Sequence, residues 1–279
     1  MKVVLLCACV VGLVGQALAA RYHERVGIPM ARKIRLQESM RIAGGLASYS
    51  GEHPYYAGLI ITLKTDITSI CGGTLLSHYH VLTIGQCWYD GENEGKSIQV
   101  VLGTATLFTG GTRTYADTIT LHSDYDPDTL ANDIGIIKMQ KYVYFDKYVD
   151  SIILPEAYFS SLAGYKAEII GYGRTSPDAP LDENSTLNDV YVRVMNNTDC
   201  AQIYGDSLIT RDVMCTSGAN GKGACGGDYG GPLVLRRFSN DEDMLVGLVS
   251  FTAAAGCNAG FPTGYTRITS HLRWIKKFL

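Results

Sequence analysis

The stretch Cys225-Gly-Gly-Asp-Tyr-Gly-Gly-Pro-Leu233 contains four glycines and a proline in nine residues, and the apolar run Leu233–Leu235 follows it. A glycine and proline cluster of this kind predicts a tight turn, and a short apolar run after a turn predicts a β-strand. Similar short apolar runs, separated by Gly, Asn, Asp and Pro, lie at Ala57–Leu63, Thr74–Leu76, Val81–Thr83, Ile98–Leu102, Ile134–Met139, Ala167–Ile170, Val190–Val194 and Leu245–Phe251. The repeated pattern predicts an all-β sandwich or barrel.

Length and composition agree with a globular β protein. The chain has 279 residues, enough for one large all-β unit or two small domains. It is 46% hydrophobic and 18% charged, and this balance excludes a globally disordered chain. Near the C-terminus, Leu272, Ile275 and Phe278 recur at helical spacing. Residues 270–279 are therefore predicted to form a terminal amphipathic helix.

Residues 1–19 are typical of a secretory signal peptide, with one Lys, an apolar run and the small-residue sequence Ala17-Leu18-Ala19. We therefore expect a secreted, extracellular protein without a membrane anchor. After the signal peptide there is no Cys-x-x-Cys pair, so we expect no metal site, and nothing indicates a cofactor. An even number of cysteines in a secreted chain predicts three disulfides, with fifteen connectivities left open by spacing alone, among Cys71, Cys87, Cys200, Cys215, Cys225 and Cys257.

Charge divides the chain into two parts. Residues 20–41 hold six Lys/Arg against two acidic residues, and we interpret them as a basic, removable pro-segment. Residues 42–279 hold 17 Lys/Arg against 25 Asp/Glu, which gives a formal charge of −8. A chain this acidic is a poor ligand for nucleic acid or for an anionic membrane, so the sequence excludes both as partners.

Several motifs resemble those of trypsin- and chymotrypsin-like serine proteases. They occur in that family's order, from an activation-site motif to the strands that close its specificity pocket, and the resemblance extends from residue 41 to the C-terminus. The amino-acid sequence of the chain is most similar to that of moth and butterfly gut chymotrypsins. The motifs are Arg41–Gly45, Cys71–Ser77 with Val81–Cys87, Asn132–Ile137, Gly226–Leu233, and Val249–Phe251 with Gly260–Ile268.

The resemblance implies a specific fold and setting. It implies a peptidase-like domain over residues 42–279, built of two six-stranded antiparallel β-barrels at about 42–155 and 156–266, with the terminal helix after them. It places the protein outside the cell, with the gut lumen as its setting. It also implies the disulfide pairs Cys71–Cys87, Cys200–Cys215 and Cys225–Cys257.

The catalytic positions of the family are altered in this chain. The mechanism needs a serine nucleophile, a histidine base and an aspartate that holds the histidine. Gln86 stands at the histidine position, Tyr229 stands at the serine position, and only Asp133 matches. An amide does not accept a proton near neutral pH, and a tyrosine hydroxyl lies about 4 Å further from the backbone than a serine hydroxyl. We interpret the remaining histidines, including His78, His80 and His122, as structural or surface residues.

The positions that would form a specificity pocket also differ. Gly223 lies at the base by motif, so no carboxylate is available to bind a Lys or Arg side chain, and Ser250 lies on the wall. Thr252 and Thr263 stand where the family usually has small residues. Because both are β-branched, we expect a narrowed slot and poor binding of extended peptides.

The features that the family uses for activation and loop geometry persist. Cleavage after Arg41 would free the amine of Ile42 to pair with the Asp228 carboxylate, and Gly227 keeps the oxyanion-hole backbone. Asn184 and Asn196 begin possible glycosylation sequons.

The sequence therefore predicts a secreted, catalytically inactive serine protease homologue with a binding or regulatory role. The expected partner is a protein, such as a protease or a protease inhibitor. Two alternatives stay open: a weak endopeptidase with a chymotrypsin-like preference, as the family would suggest, and a storage protein without specific action.

Overall fold

The computed structural model describes residues 21–40, 51–156, 161–172, 187–236, 242–257 and 259–279. The predicted signal peptide, the Arg41–Ile42 bond and the Asn184 sequon lie outside the described residues.

Six antiparallel strands close into a first barrel. Their order around the barrel is β1-β2-β3-β6-β5-β4, and the pairing of β4 with β1 closes it, so the steps from β3 to β6 and from β4 to β1 join strands that are not consecutive in the chain. The strands are β1 (Tyr56–Leu63), β2 (Thr68–Leu75), β3 (His80–Thr83), β4 (Gly95–Leu102), β5 (Thr112–Leu121) and β6 (Gly135–Met139). In β1, Leu59, Ile61 and Leu63 point into the core, as a period of two requires of a barrel strand.

Six more antiparallel strands close into a second barrel in the order β10-β11-β12-β9-β8-β7. They are β7 (Lys166–Gly171), β8 (Asn188–Met195), β9 (Val213–Thr216), β10 (Pro232–Arg236), β11 (Asp243–Phe251) and β12 (Thr263–Arg267). The prediction of two six-stranded antiparallel barrels is confirmed. The three disulfides, Cys71–Cys87, Cys200–Cys215 and Cys225–Cys257, form as the resemblance implied.

The helices differ from the sequence prediction. Helix α1 (Ile28–Met40), which continues a π-helical turn at His23–Gly27, and helix α2 (Asn197–Tyr204) were not predicted. The terminal helix α3 spans Ile268–Ile275, so the predicted bounds of 270–279 were wrong at both ends. It begins earlier because β12 leads directly into it, and Leu272 and Ile275 are buried on its inner face.

The N-terminal segment, residues 21–40, lies on the first barrel. Five of the seven residues described as buried in it recur every three or four positions, at His23, Gly27, Met30, Ile34 and Glu38. This spacing places them on one face of the helix. The segment packs mainly against β2.

Candidate functional site

The altered catalytic positions come together where the two barrels meet. Gln86 lies in a 3₁₀ turn, Gly85–Cys87, that follows β3, and the disulfide to β2 holds this turn in place. Asp133 lies two residues before β6, and Tyr229 lies in the turn before β10. Ser250 lies near the end of β11. The fold therefore assembles the site from four separate parts of the chain.

The side chain of Gln86 is fixed by two hydrogen bonds. Its Nε2 donates to Oδ2 of Asp133 at 2.7 Å and to the carbonyl oxygen of Ser250 at 2.8 Å. Both partners are acceptors, so the amide nitrogen, and not the amide oxygen, must face them. Both amide hydrogens are used in this way, and the group offers no basic lone pair at the place where a proton acceptor is needed.

Asp133 is buried, with 1% of its surface exposed, and its carboxylate accepts three hydrogen bonds. The Gln86 backbone amide donates to Oδ1 at 3.0 Å, and the Ser250 hydroxyl donates to Oδ2 at 2.7 Å, beside the Gln86 side-chain amide. Burial raises the pKa of Asp133 to about 6, although these hydrogen bonds act in the opposite direction. The carboxylate thus orders Gln86 and Ser250 in the way it would order a histidine.

The hydroxyl of Tyr229 is also occupied. It lies 3.0 Å from Oγ1 of Thr252 and accepts a 3.2 Å hydrogen bond from the Thr252 backbone amide. Only 8% of Tyr229 is exposed, and burial raises the pKa of its phenol above the ordinary value. In the part of the chain that the structure describes, no hydrogen bond joins Tyr229 to Gln86. Deprotonation of this phenol is therefore unfavourable.

The turn around Tyr229 has a backbone conformation that requires glycine at two positions. Gly227 has a φ of 104° and Gly230 a φ of 80°, which side chains rarely adopt. The Asp228 carboxylate accepts a hydrogen bond from the Cys225 amide at 2.8 Å. A Cβ at Gly171 would lie 2.0 Å from Oδ1 of Asp228, so glycine at that position makes room for the carboxylate.

Two of the positions predicted to form a pocket, Gly223 and Thr263, lie side by side. Oγ1 of Thr263 accepts a hydrogen bond from the Ala224 amide at 3.2 Å. A Cβ at Gly223 would lie 2.9 Å from that same oxygen, so the threonine side chain occupies the space beside Gly223. Thr252 contacts the hydroxyl of Tyr229 through both its side chain and its backbone amide.

The histidines named from the sequence have structural contacts elsewhere. His78 bonds to the carbonyl oxygen of Val143 and stacks between Tyr142 and Phe145. His80 pairs with the Ser77 hydroxyl, and His122 packs beside Trp274. None of these contacts involves Gln86, Asp133 or Tyr229.

Sequence reasoning missed one component of the site, the N-terminal segment. The ring of Tyr22 packs on the ring of Tyr229, with centroids 4.9 Å apart. Val26 and Met30 lie against Gly226, at 3.3 Å and 3.4 Å from where a Cβ at that glycine would be. The segment therefore covers the turn that carries Tyr229. A possible signal was the apolar content of Val26, Ile28, Met30 and Ile34 within a basic stretch.

One group of possible metal ligands occurs in the described ranges, formed by Glu52, His53 and Asp189. Nδ1 of His53 lies 3.3 Å from the Tyr55 hydroxyl and Nε2 lies 3.4 Å from Asp189, so both ring nitrogens have partners within the protein. Asn196, the sequon residue that the structure describes, is exposed immediately before α2. Across the described ranges, no helix has the length and hydropathy of a membrane span.

Comparison with known proteins identifies the scaffold. The family model described as Trypsin matches residues 42–275. Collagenase of Hypoderma lineatum is 35% identical over 239 residues, which cover 85% of this chain and 86% of that protein. Brachyurin of Leptuca pugilator is 34% identical over 239 residues, covering 84% of this chain and 97% of that protein. The solved structure of HL collagenase has a TM-score of 0.74 and 33% identity over 85% of this chain and 98% of that one.

The special similarity to moth and butterfly gut chymotrypsins finds no support among these relatives, which are a collagenase and a brachyurin. Short stretches of similar sequence did not distinguish between branches of one family, because many branches share the same turns and strands. Two confirmed barrels, three disulfides and a family match over most of the chain agree with one another. The chain belongs to the trypsin family.

Proposed function

We propose that this protein is a catalytically inactive serine protease homologue that acts by binding another protein. One observation carries the proposal: the Gln86 amide donates to Asp133 and to the Ser250 carbonyl, so an amide donor stands at the position of the general base. Without a proton acceptor, a hydroxyl beside it is not activated.

The nucleophile position supports the same conclusion. The Tyr229 hydroxyl is held by Thr252, and burial raises the pKa of the phenol. Loss of the serine or the histidine from a hydrolase triad costs on the order of 10⁶ in turnover. Here both positions are changed, so we expect no hydrolysis above the level that the scaffold alone provides.

Access to the site is restricted from two sides. We expect the β-branched side chains of Thr252 and Thr263 to narrow the pocket, and the Tyr22 ring packs on the ring of Tyr229. A bound substrate would have to displace both the phenol and the N-terminal segment. These contacts favour a surface that holds a partner over a cleft that turns over a substrate.

Weak chymotrypsin-like proteolysis is the alternative, and the names of the relatives favour it. The turn at Gly227, Asp228 and Gly230 keeps the backbone form that a working oxyanion site would use. The turn alone, without a base and an accessible nucleophile, does not catalyse peptide hydrolysis.

A fluorophosphonate probe together with an aromatic ester substrate tests the proposal. We expect no covalent labelling and no hydrolysis, before or after cleavage behind Arg41. The matched control is the same protein with Gln86→His and Tyr229→Ser, which restores the chemical groups on the same scaffold. Ester hydrolysis by the unmodified protein that disappears on Tyr229→Ala would overturn the proposal.

We propose that the protein is secreted and that its partner is a protein from the same extracellular fluid, a protease or a protease inhibitor. The formal charge of −8 over residues 42–279 favours a partner with a basic surface. Affinity purification from that fluid, followed by mass spectrometry, identifies the partner. Recovery of no protein beyond that of an unrelated secreted control would favour the storage alternative.

A further inference from the structure

The N-terminal segment contacts the first barrel and the turn that carries Tyr229. We call the surface beneath it the segment groove; its contact residues are Ser69, Ile70, Asp90, Leu107, Phe108 and Gly226. The segment is held at both ends by hydrogen bonds and in the middle by apolar contacts. Such a pattern is typical of a ligand helix in a protein groove.

The first end of the segment is fixed by three hydrogen bonds. The Tyr22 hydroxyl donates to the Ile70 carbonyl oxygen at 2.6 Å. The His23 backbone amide donates to Oδ2 of Asp90 at 2.9 Å, and Nδ1 of His23 lies 2.8 Å from the Ser69 hydroxyl. Tyr22 and His23 are both buried, so these bonds are shielded from water.

The other end is fixed by one carboxylate. Glu38 accepts hydrogen bonds from the backbone amides of Leu107 at 2.6 Å and Phe108 at 2.8 Å. The Thr109 hydroxyl adds a third at 3.2 Å. Only 5% of Glu38 is exposed, and hydrogen bonds from backbone amides to an ionised carboxylate are among the stronger ones in proteins. Glu38 is therefore a specific anchor and not a solvated surface charge.

Apolar contacts join the two ends. Met30, Ala31 and Ile34 are buried and belong to the main hydrophobic core. Gly27 lies so close to β2 that a Cβ there would be 2.0 Å from the Ser69 hydroxyl oxygen. Leu36, on the opposite face, is 61% exposed. One face of the helix therefore packs into the segment groove, and the face that carries Leu36 does not.

The surface under the segment is incomplete without it. β3 pairs with β2 only at Thr74 and Leu75, so on that side the stretch Thr68–Cys71 has no strand partner within the described residues. The segment covers this edge, and the Tyr22 hydroxyl satisfies the Ile70 carbonyl there. An uncovered strand edge binds other chains, so a protein gains from keeping it occupied.

The opposite charges of the N-terminal segment and of the rest of the chain also favour binding of the segment in this groove. Residues 20–41 carry six Lys/Arg against two acidic residues, whereas residues 42–279 carry a formal charge of −8. Arg21 pairs with Glu92 at 2.7 Å at the entrance of the groove. Residues 20–41 contain no cysteine, so no disulfide links the segment to the barrels.

We propose that the segment groove is a peptide-docking site whose occupant is this chain's own residues 21–40, and that the segment stays bound as a separate, exchangeable peptide after cleavage behind Arg41. Cleavage removes the tether and with it the high effective concentration of a linked ligand. Whether the cleaved segment stays bound then depends on its contacts in the segment groove. The proposal concerns this groove alone and stands whether or not the protein hydrolyses peptides.

The test uses the full chain with a sequence-specific protease site inserted between Arg41 and Ile42. After cleavage, size-exclusion chromatography and mass spectrometry show whether the segment elutes with the barrels. A fluorescein-labelled synthetic peptide of residues 20–41 then measures exchange by anisotropy. We expect co-elution at micromolar protein and saturable binding of the peptide.

Two matched peptides separate specific docking from charge attraction. Ile34→Ala alters a residue that is 4% exposed, whereas Leu36→Ala alters one that is 61% exposed, at unchanged charge. We expect Ile34→Ala to weaken binding at least 10-fold and Leu36→Ala to change it less than threefold. Loss of the segment from the unmodified cleaved protein, or equal affinity of the two peptides, would overturn the proposal. Because only the peptide is changed, a folding defect of the barrels does not affect the comparison.

Discussion

Gln86 and Asp133 form a donor–acceptor pair in which the amide of one residue stabilises the buried carboxylate of the other, with 2.7 Å between Nε2 and Oδ2. Asp133 thus orients Gln86 as it would orient a catalytic histidine. Unlike a histidine, the glutamine cannot take up a proton.

Gln86→Glu should destabilise the fold because it places a second carboxylate against Asp133 and against the Ser250 carbonyl. An unpaired buried charge of this kind costs about 3–5 kcal/mol. Adding Asp133→Asn places an amide donor opposite the new carboxylate and should recover part of the loss, because the clash with the Ser250 carbonyl remains. Urea unfolding of the single and double variants measures both effects. Gln140→Glu, at the exposed residue that follows β6, is the control, and an equal loss there would contradict the prediction.

Asp133 should make stability fall as pH rises from about 4 to about 6. Its pKa is about 6 in the folded protein and lower in the unfolded chain, so the folded state binds more protons over that interval. A shift of about two units corresponds to roughly 3 kcal/mol. Asp133→Asn should remove this component, which is measured as the difference between the two proteins across the pH series. Parallel stability curves for parent and variant would exclude it.

Lowering the pH from 6.5 towards 4 should release the N-terminal segment. Burial lowers the pKa of His23 to about 4, against the opposing charge of Asp90, so the docked state binds fewer protons than the free state. Docking is therefore stabilised above pH 6.5 and weakens as pH falls, the opposite sign to Asp133. Asp90, the Ser69 hydroxyl and the Tyr22 ring face His23.

Hydrogen exchange of residues 21–40, corrected for intrinsic rates, measures this release. His23→Gln removes the titrating ring and keeps a polar side chain, so its exchange should depend less on pH. A variant with the same pH profile as the parent would show that another group controls the segment.

Gly27→Ala should loosen the segment although alanine is the better helix former by about 1 kcal/mol. The added Cβ would lie 2.0 Å from the Ser69 hydroxyl, which is itself held by His23. Limited proteolysis at Arg25 and Arg32 should become several-fold faster than in the parent. Glu24→Ala, on the exposed face, provides the comparison, and equal rates for the two variants would refute the steric explanation.

The barrels and the altered catalytic positions were predictable because their signals are local. Glycine-rich turns beside apolar runs specify strands, and Gln86 and Tyr229 stand at fixed places next to a cysteine and within a glycine motif. The partners of those residues were less accessible. That Nε2 of Gln86 reaches the Ser250 carbonyl, and that Tyr229 pairs with Thr252, depends on how the two barrels meet.

The docked segment was not predictable for a different reason. Its buried face contains His23, Gly27 and Glu38, whose partners lie far away in the chain, while apolar Leu36 faces outward. An apolar stripe is the sequence signal for an amphipathic helix, and here polar anchors interrupt the stripe. The terminal helix was found because most of its buried residues are apolar, and only its ends were misplaced.

The Glu38 anchor lies three positions before Arg41, so any protease that cuts after Arg41 works beside a helix turn that is fastened to the barrel. Proteases act on chains that have opened locally, and the rate then follows the population of the open form. Cleavage after Arg41 would thus depend on fraying of the last helical turn, which the Glu38 carboxylate opposes, as well as on the supply of protease.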